Sequence, residues 1–254
     1  MKLYYREVGQ GKPLIILHGL FGMSDNWLPT ARKLADYFKV YLPDLRNHGQ
    51  SPHHPDFNYD VLVSDLHSFM KDHGLHKICL AGHSLGGKTA MYYALKFPQS
   101  VDKLAVIDMG VKSYQQPYLE LLLQTVLRTD LTNVNSYSEA DSRLAESISA
   151  ENVRQFLLKN LHRRENKGFS WRFNASAVYS NFSRITKGLA AGTTYKKSAM
   201  FVRGGRSDYI ADEDISGIKE MFPAAEIETI ENAGHWVHTD AFSDLSCILS
   251  EYFR

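Results

Sequence analysis

A serine flanked by glycines is the arrangement with the clearest chemistry in this chain. Residues 82–87 are Gly-His-Ser-Leu-Gly-Gly, so Ser84 stands between Gly82 and Gly86. The segment follows an apolar, strand-like run over residues 77–81 and opens a helical pattern. A Gly-x-Ser-x-Gly string between a strand and a helix is typical of a nucleophile elbow, a sharp turn that exposes the serine hydroxyl. The sequence therefore predicts that Ser84 is a nucleophile.

The same segment also fits the pattern of a phosphate-binding loop. Gly82 is followed, at the required spacing, by Gly87, Lys88 and Thr89. Nothing else in the chain favours a nucleotide, whereas the serine elbow accounts for the other motifs as well. We therefore expect no cofactor at this turn or elsewhere.

A general base is required, because a serine hydroxyl is a weak nucleophile near neutral pH. The chain has 11 histidines, and His235 is the best placed of them. It lies in Asn-Ala-Gly-His-Trp, residues 232–236, directly after the last strand-like run. A loop at that position can bring the imidazole to the edge of the sheet where Ser84 is expected. The sequence therefore predicts His235 as the base.

An acid would orient the histidine and stabilise its protonated form. Two aspartates are candidates, since each follows a strand-like run and each gives the chain order serine, acid, histidine. Asp208 follows the run at 199–202 and is ranked first. Asp108 ends the run at 103–107 and is ranked second. The residues alone leave both candidates open.

Acyl transfer also needs hydrogen-bond donors for the negative charge that develops on the carbonyl oxygen. The backbone amide of Leu85, directly after the predicted nucleophile, is one expected donor. The second is expected from the loop His-Gly-Leu-Phe-Gly at residues 18–22, as the amide of Leu20. Gly19 and Gly22 would allow this loop to approach a ligand closely.

Short apolar runs must supply the strands that position these residues. In the first half of the chain they alternate with helical patterns, which predicts a parallel sheet with crossover helices. Because the runs are apolar on both faces, helices should cover both sides of the sheet. The runs are residues 13–17, 39–42, 77–81, 103–107, 199–202 and 226–230. Helices are predicted over residues 27–38, 59–73 and 85–97.

The alternation stops after residue 110, and helical stripes take its place. This predicts an α/β core formed by residues 1–110 and 191–254, and a helical lid formed by residues 111–190. A lid inserted here would lie over the edge of the sheet that carries the serine. The residues expected to line an acyl pocket beneath it are Phe21, Tyr118, Leu122 and Phe156. The residues expected to anchor the lid are Trp171 and Phe173.

Composition and charge disfavour several classes of partner. With 29 basic and 28 acidic side chains the formal net charge is +1, whereas nucleic acids and acidic membranes require clustered positive charge. Cys79 and Cys247 lack the spacing of a metal site or disulfide framework. Neither a signal peptide nor a membrane-spanning stretch is indicated. We therefore expect a cytoplasmic monomer or homodimer that binds a small molecule, with no metal and no nucleic acid.

Four ordered motifs resemble the α/β-hydrolase superfamily, and in particular its YbfF-type bacterial acyl esterases. They are His-Gly-Leu-Phe-Gly at 18–22, Asp-Leu-Arg-Asn-His-Gly-Gln-Ser at 44–51, Gly-His-Ser-Leu-Gly-Gly-Lys at 82–88 and Ala-Gly-His-Trp-Val-His at 233–238. The likeness extends to Phe-Leu-Leu-Lys at 156–159 and Trp-Arg-Phe-Asn at 171–174. It therefore covers nearly the whole chain.

This resemblance implies an α/β fold of the α/β-hydrolase type. Its features are a mostly parallel central sheet, helices on both faces and a helical lid inserted after the sixth strand. It also implies a metal-free esterase or thioesterase. Members of this group differ at the position of Asp208, whereas an acid at the position of Asp108 is usual. That keeps Asp108 a candidate.

The expected function is hydrolysis of a carboxylic ester or thioester with an apolar acyl group, through an acyl-enzyme on Ser84. Two alternatives stay open, because one fold hosts many functions. A small-molecule sensor on the same fold would turn over slowly and signal through lid movement. A carbon–carbon hydrolase or a lyase could use the same serine, histidine and acid.

Overall fold

A computed structural model of the chain describes residues 1–165 and 167–254. Its strands are β1 (Tyr5–Val8), β2 (Lys12–Leu17), β3 (Phe38–Pro43), β4 (Ile78–His83), β5 (Val101–Ile107), β6 (Leu161–Arg163), β7 (Phe169–Trp171), β8 (Ala199–Gly204) and β9 (Ala225–Ile230). The main sheet has seven strands in the order β1-β3-β2-β4-β5-β8-β9. Strand β1 is antiparallel to β3, and all other neighbours in this sheet are parallel. Strands β6 and β7 form a separate antiparallel hairpin.

Helices cover both faces of the main sheet and also form most of the segment between β5 and β8. They are α1 (Leu28–Leu34), α2 (Tyr59–Asp72), α3 (Leu85–Lys96), α4 (Pro117–Arg128), α5 (Tyr137–Ala145), α6 (Glu151–Leu158), α7 (Ala175–Ser180), α8 (Phe182–Ile185), α9 (Ile215–Met221), α10 (Val237–Asp240) and α11 (Phe242–Phe253). Among the described residues, no helix has the length and apolar character needed to cross a membrane.

Alternation along the strands divides the core into two layers. In β2, Leu14 and Ile16 pack on the face covered by α1, α10 and α11. Ile15 and Leu17 point to the opposite face, which α2, α3 and α9 cover. All four side chains are at most 1% exposed. A strand that is buried on both faces needs apolar residues at every position, which explains the continuous runs in the sequence.

The predicted fold class is confirmed, and each of the six apolar runs corresponds to a strand of the main sheet. The prediction missed β1, where Arg6 and Glu7 stand in a half-exposed edge strand without an apolar run. Counting β1, the inserted segment follows the fifth strand of this sheet, β5. The implied insertion point after the sixth strand was therefore wrong for this chain.

The inserted segment contains α4 to α8 and the β6–β7 hairpin. Helices α4, α5 and α6 lie where helical stripes were predicted, whereas the short helices α7 and α8 were not assigned a stripe. The hairpin was not predicted either, because three-residue strands leave no periodic signal. Its buried side chains, among them Leu123, Leu144 and Phe169, join the same core cluster as the sheet face under α2 and α3. The division into a core and a lid over residues 111–190 stays a prediction.

The two ends of this segment lie side by side and are tied to α3. The amide of Leu189 donates to the carbonyl of Val111 over 2.8 Å. Lys88, a fully buried residue of α3, donates from Nζ to the carbonyls of Lys112 and Lys187 over 2.6 and 3.3 Å. Burial lowers the pKa of Lys88 to about 7. We use the name stem for residues 111–113, residues 186–189 and Lys88, which these contacts join.

Lys88→Met should destabilise the fold, because methionine keeps the apolar contacts but removes the donor from two partly buried carbonyls. We expect a loss of roughly 1–3 kcal/mol in the free energy of unfolding near neutral pH. The difference in the free energy of unfolding between wild type and Lys88→Met should increase with pH. The unfolded chain holds this proton up to the ordinary lysine pKa of 10.5, whereas the folded protein releases it from about 7. Rising pH between those values therefore favours the folded wild type, and the variant lacks this contribution.

Urea unfolding of wild type and variant at pH 6, 7.5 and 9 measures this difference. Lys96→Met, on the exposed side of the same helix, is the matched control and should change the free energy of unfolding by less than about 0.5 kcal/mol. A difference between wild type and Lys88→Met that stays constant across this pH range would contradict the buried titration.

Candidate active site

Ser84 lies in the turn that joins β4 to α3. Its backbone has φ 52° and ψ −117°, a left-handed conformation that is costly for any residue other than glycine. The turn is so tight that a Cβ on Gly82 would lie 2.3 Å from the Gly86 carbonyl oxygen. A Cβ on Gly86 would lie 2.4 Å from the carbonyl oxygen of Leu17. The two glycines are therefore required by the crossing of β4, α3 and β2, as the motif predicted.

His235 lies in the loop between β9 and α10 and bridges the serine to a carboxylate. Its Nε2 is 3.0 Å from Ser84 Oγ, and its Nδ1 is 2.7 Å from Asp108 Oδ2. A carboxylate only accepts hydrogen bonds, so Nδ1 carries the proton and Nε2 is free to accept one from the serine. The imidazole thus has the orientation that a general base for Ser84 requires.

Asp108 is fully buried at the carboxyl end of β5, with 0% exposure. Its Oδ1 accepts from the amide of Gly204 over 3.0 Å, and its Oδ2 accepts from the hydroxyl of Ser207 as well as from His235. These donors come from the end of β8 and from the loop after β9. They satisfy a buried carboxylate that would otherwise be very costly to remove from water.

Asp208, the acid ranked first from the sequence, has an exposed side chain in the turn after β8. The structure brings Asp108 and not Asp208 to His235, so the ranking is reversed. The turn after β8 stays beside the site, since Ser207 donates to Asp108 and Tyr209 stacks on His235, but the side chain of Asp208 between them is exposed. Asp108 follows directly after β5, which pairs with β4. Spacing along the chain does not separate the two candidates, because the conformation of the turn decides where the Asp208 side chain lies.

The two predicted oxyanion donors belong to two segments that lie next to Ser84. Leu85 is the first residue of α3, where a backbone amide has no acceptor within the helix. The loop that contains Leu20 passes close to the nucleophile, since a Cβ on Gly19 would lie 3.3 Å from Ser84 Cβ. Amides in these positions can stabilise an oxyanion on a carbonyl carbon bonded to Ser84.

Two residues that the sequence analysis did not select hold His235 in place. Tyr209 stacks on its imidazole, with ring centroids 3.7 Å apart and planes at 14°. His83 Nε2 lies 2.8 Å from the backbone carbonyl of His235. Burial lowers the pKa of His83 well below the ordinary histidine value, so this ring is neutral and donates from Nε2. Neither contact follows from sequence spacing, since both join segments far apart in the chain.

Ser84 and His235 open on a cavity of about 400 Å3. All four predicted pocket residues line it: Phe21, Tyr118, Leu122 and Phe156. Tyr118 is 51% exposed, whereas Leu122 is 6% exposed. Of the two predicted anchors, Phe173 is buried against Phe21, with ring centroids 4.7 Å apart. Trp171 is partly buried and packs on Phe173.

The loop at residues 18–22, which carries the predicted Leu20 donor and is called the oxyanion loop below, also contacts the inserted segment. Asn160, which follows α6, donates from Nδ2 to the carbonyl of Phe21 over 2.8 Å and is 1% exposed. No motif or spacing in the sequence marks Asn160 as a residue of the site. In the described part of the chain, no group of three or more histidine, cysteine, aspartate or glutamate side chains has the arrangement of a metal site.

The chain belongs to the α/β-hydrolase fold family, whose model matches residues 12–242. It is similar to the sn-1-specific diacylglycerol lipase ABHD11 of Danio rerio, at 34% identity over 91% of this chain and 75% of the relative. It is also similar to esterase YbfF of Escherichia coli, at 30% identity over 90% of this chain and 87% of the relative. A solved marine microorganism esterase superposes with a TM-score of 0.96 at 38% identity and covers 99% of both chains. These relatives support ester hydrolysis in general.

Gly86→Ala should distort the elbow, because the new Cβ would lie 2.4 and 2.5 Å from the carbonyl oxygens of Leu17 and His18. We expect a loss of roughly 1–3 kcal/mol in the free energy of unfolding. Gly217→Ala is the matched control, since it also lies in a helix but its Cβ would meet only Val111 Cγ2 at 3.5 Å. The control should gain up to about 1 kcal/mol from helix propensity. Urea unfolding checks both, and equal effects would contradict the close approach at the elbow.

Proposed function

We propose that this chain hydrolyses carboxylic esters or thioesters through an acyl-enzyme on Ser84. The observation that carries the proposal is the hydrogen-bonded series from Asp108 through His235 to Ser84, which ends at a largely apolar cavity. The expected apolar character of the substrate agrees with the side chains that line this cavity. The printed names of the relatives, a diacylglycerol lipase and esterases, point to the same reaction class.

In the first half of the reaction Ser84 Oγ bonds to the carbonyl carbon while its proton passes to His235 Nε2. The electron pair of the C=O bond moves to the carbonyl oxygen, and the amides of Leu20 and Leu85 donate to that oxyanion. When the carbonyl re-forms, the bond to the leaving oxygen or sulfur breaks. The leaving group takes the proton from His235 and departs as an alcohol or thiol.

In the second half a water molecule repeats the sequence on the acyl-enzyme. It gives a proton to His235 Nε2 and bonds to the carbonyl carbon, and the bond to Ser84 Oγ then breaks. His235 returns the proton to the serine, and the carboxylic acid leaves. Asp108 stays ionised throughout and stabilises the imidazolium that forms twice in each turnover.

The lining of the larger cavity disfavours the carbon–carbon hydrolase alternative. Substrates of such enzymes often carry carboxylates, which need arginine or lysine partners. Among the described residues, none of those lining the large cavity is an arginine or a lysine. Arg203, at the end of β8, does not line this cavity but pairs with Asp212 and donates to Thr229. The sensor alternative predicts one burst of acylation and then a stall, so multiple turnover in the steady state separates it from the enzyme.

Ser84→Ala should reduce kcat by roughly five to six orders of magnitude, because the serine, histidine and acid act as a unit. The fold should survive, since only a hydroxyl is lost. A fluorophosphonate probe should label wild type at Ser84 and fail to label the variant. Ser216→Ala, at an exposed serine outside the site, is the control and should keep full activity and labelling. Labelling of Ser84→Ala at another serine would refute the assignment.

Asp108→Asn should lower kcat by roughly four orders of magnitude, because the amide favours the wrong tautomer of His235. Asp208→Asn removes an equivalent charge from an exposed turn and should change kcat by less than about threefold, since surface changes have small effects. Steady-state kinetics on a short 4-nitrophenyl ester compares the two variants. The opposite ranking would transfer the role of the acid to Asp208, and equal partial losses would mean that both contribute.

A further inference from the structure

Ser84 lies at the junction of two cavities of very different size. The larger one measures about 400 Å3. The smaller one measures about 40 Å3 and shares Leu20, Gln116, Leu119 and Tyr209 with it, besides Ser84 itself. An ester has two substituents on its carboxyl group, the acyl chain and the alcohol. The two cavities therefore suggest a separate place for each.

The position of His235 decides which substituent goes where. His235 lines the larger cavity and not the smaller one. Under the proposed function its Nε2 must return a proton to the leaving oxygen, so that oxygen and the alcohol attached to it have to lie on the His235 side of Ser84. The alcohol therefore extends into the larger cavity.

The smaller cavity reaches Ser84 without contacting His235. Leu85 and Met109 line it and do not line the larger one. Once Ser84 Oγ holds the carbonyl carbon and the oxyanion points to the amides of Leu20 and Leu85, the acyl chain occupies the direction away from His235. That direction leads into the smaller cavity. The smaller cavity measures about 40 Å3 against about 400 Å3 for the larger one, so the acyl chain that enters it has to be short.

The walls of the smaller cavity resist expansion. Leu85 and Met109 are 4% and 6% exposed, and Lys88 at the back of the cavity is fully buried. The Nζ of Lys88 is also held by the carbonyls of the stem. Forcing a longer chain into a closely packed site displaces such side chains at a substantial free-energy cost.

We propose, on the basis of the function proposed above, that the preferred substrates are short-acyl esters, acetyl or propionyl, of larger apolar alcohols. This assignment gives two residues of the predicted lid a role that differs from the one expected from the sequence. Leu122 and Phe156, expected to line an acyl pocket, here contact the alcohol. The acyl chain meets Leu85 and Met109 instead.

Two substrate series test this on the wild-type protein. The first holds the alcohol as 4-nitrophenol and lengthens the acyl group from acetyl to octanoyl. We expect kcat/KM to fall at least roughly tenfold beyond propionyl, since overpacking is costly. The second holds the acyl group as acetyl and lengthens the alcohol from methyl to hexyl. We expect kcat/KM to rise by up to about fourfold for each buried methylene. A rise with acyl length together with no response to alcohol length would overturn the proposal.

Paired variants assign each series to its cavity. Met109→Ala enlarges the smaller cavity and should raise kcat/KM for butyryl relative to acetyl esters at least roughly tenfold, without altering the alcohol series. Val153→Ala is the matched control, since Val153 lines the larger cavity and not the smaller one. It should flatten the alcohol series and leave the acyl series unchanged. The reverse pattern would show that the acyl group occupies the larger cavity.

The two levels of the proposal fail in different ways. If no ester or thioester is turned over in a manner that depends on Ser84, the proposed function fails. If Ser84-dependent turnover is present but long acyl chains are preferred, the reaction stands and the assignment of the two cavities is wrong.

Discussion

The burial of one carboxylate constrains the whole candidate site. Asp108 has no exposure to water, and an ionised group in that position is tolerated only where several donors meet it. The donors come from three segments: Gly204 at the end of β8, Ser207 in the turn that follows, and His235 in the loop after β9. The hydrogen bonds to Asp108 therefore hold these three segments together at the carboxyl edge of the sheet, and one of these bonds orients His235.

Helix α3 couples the serine to the inserted segment. Ser84 precedes its first residue, Lys88 follows one turn later, and Tyr92 follows one turn after that. The spacing of four residues places these side chains on one face of the helix. From that face Lys88 donates to the carbonyls of Lys112 and Lys187, and the hydroxyl of Tyr92 donates to the carbonyl of Gly188. The same helix that presents the proposed nucleophile thus holds the ends of the segment above it.

What the sequence could predict depended on how local each signal is. Strands β2, β3, β4, β5 and β8 are visible in the sequence as mostly apolar runs, because they are largely buried on both faces. The signal is weaker for β9, which carries Glu226 and Glu228 and is only partly buried. Ser84 is marked by flanking glycines, because Gly82 and Gly86 touch neighbouring backbone. His235 is marked by its place after the last strand. In each case the physical requirement acts within a few residues of the position it constrains.

The features that were missed depend on contacts between distant parts of the chain. Asp108 and Asp208 both follow strands, but the Asp108 side chain is buried at His235 whereas the Asp208 side chain is exposed. His83 and Tyr209 hold His235 through a carbonyl contact and a ring stack that no spacing encodes. Strand β1 owes its place to pairing with β3 rather than to its own composition. Tertiary contacts of this kind override the local pattern.

The contact between Asn160 and Phe21 gives the inserted segment a direct connection to the oxyanion loop. The loop backbone at Phe21 has φ 59°, a conformation that needs support from its surroundings. Support comes from the Asn160 amide at its carbonyl and from Phe173 against its ring. Both supporting residues belong to the segment between residues 111 and 190. A displacement of that segment would therefore release the loop that carries the Leu20 amide. The same segment lines the larger cavity through Leu122 and Phe156, so one wall of this cavity and the backbone of the loop at residues 18–22 depend on the same packing.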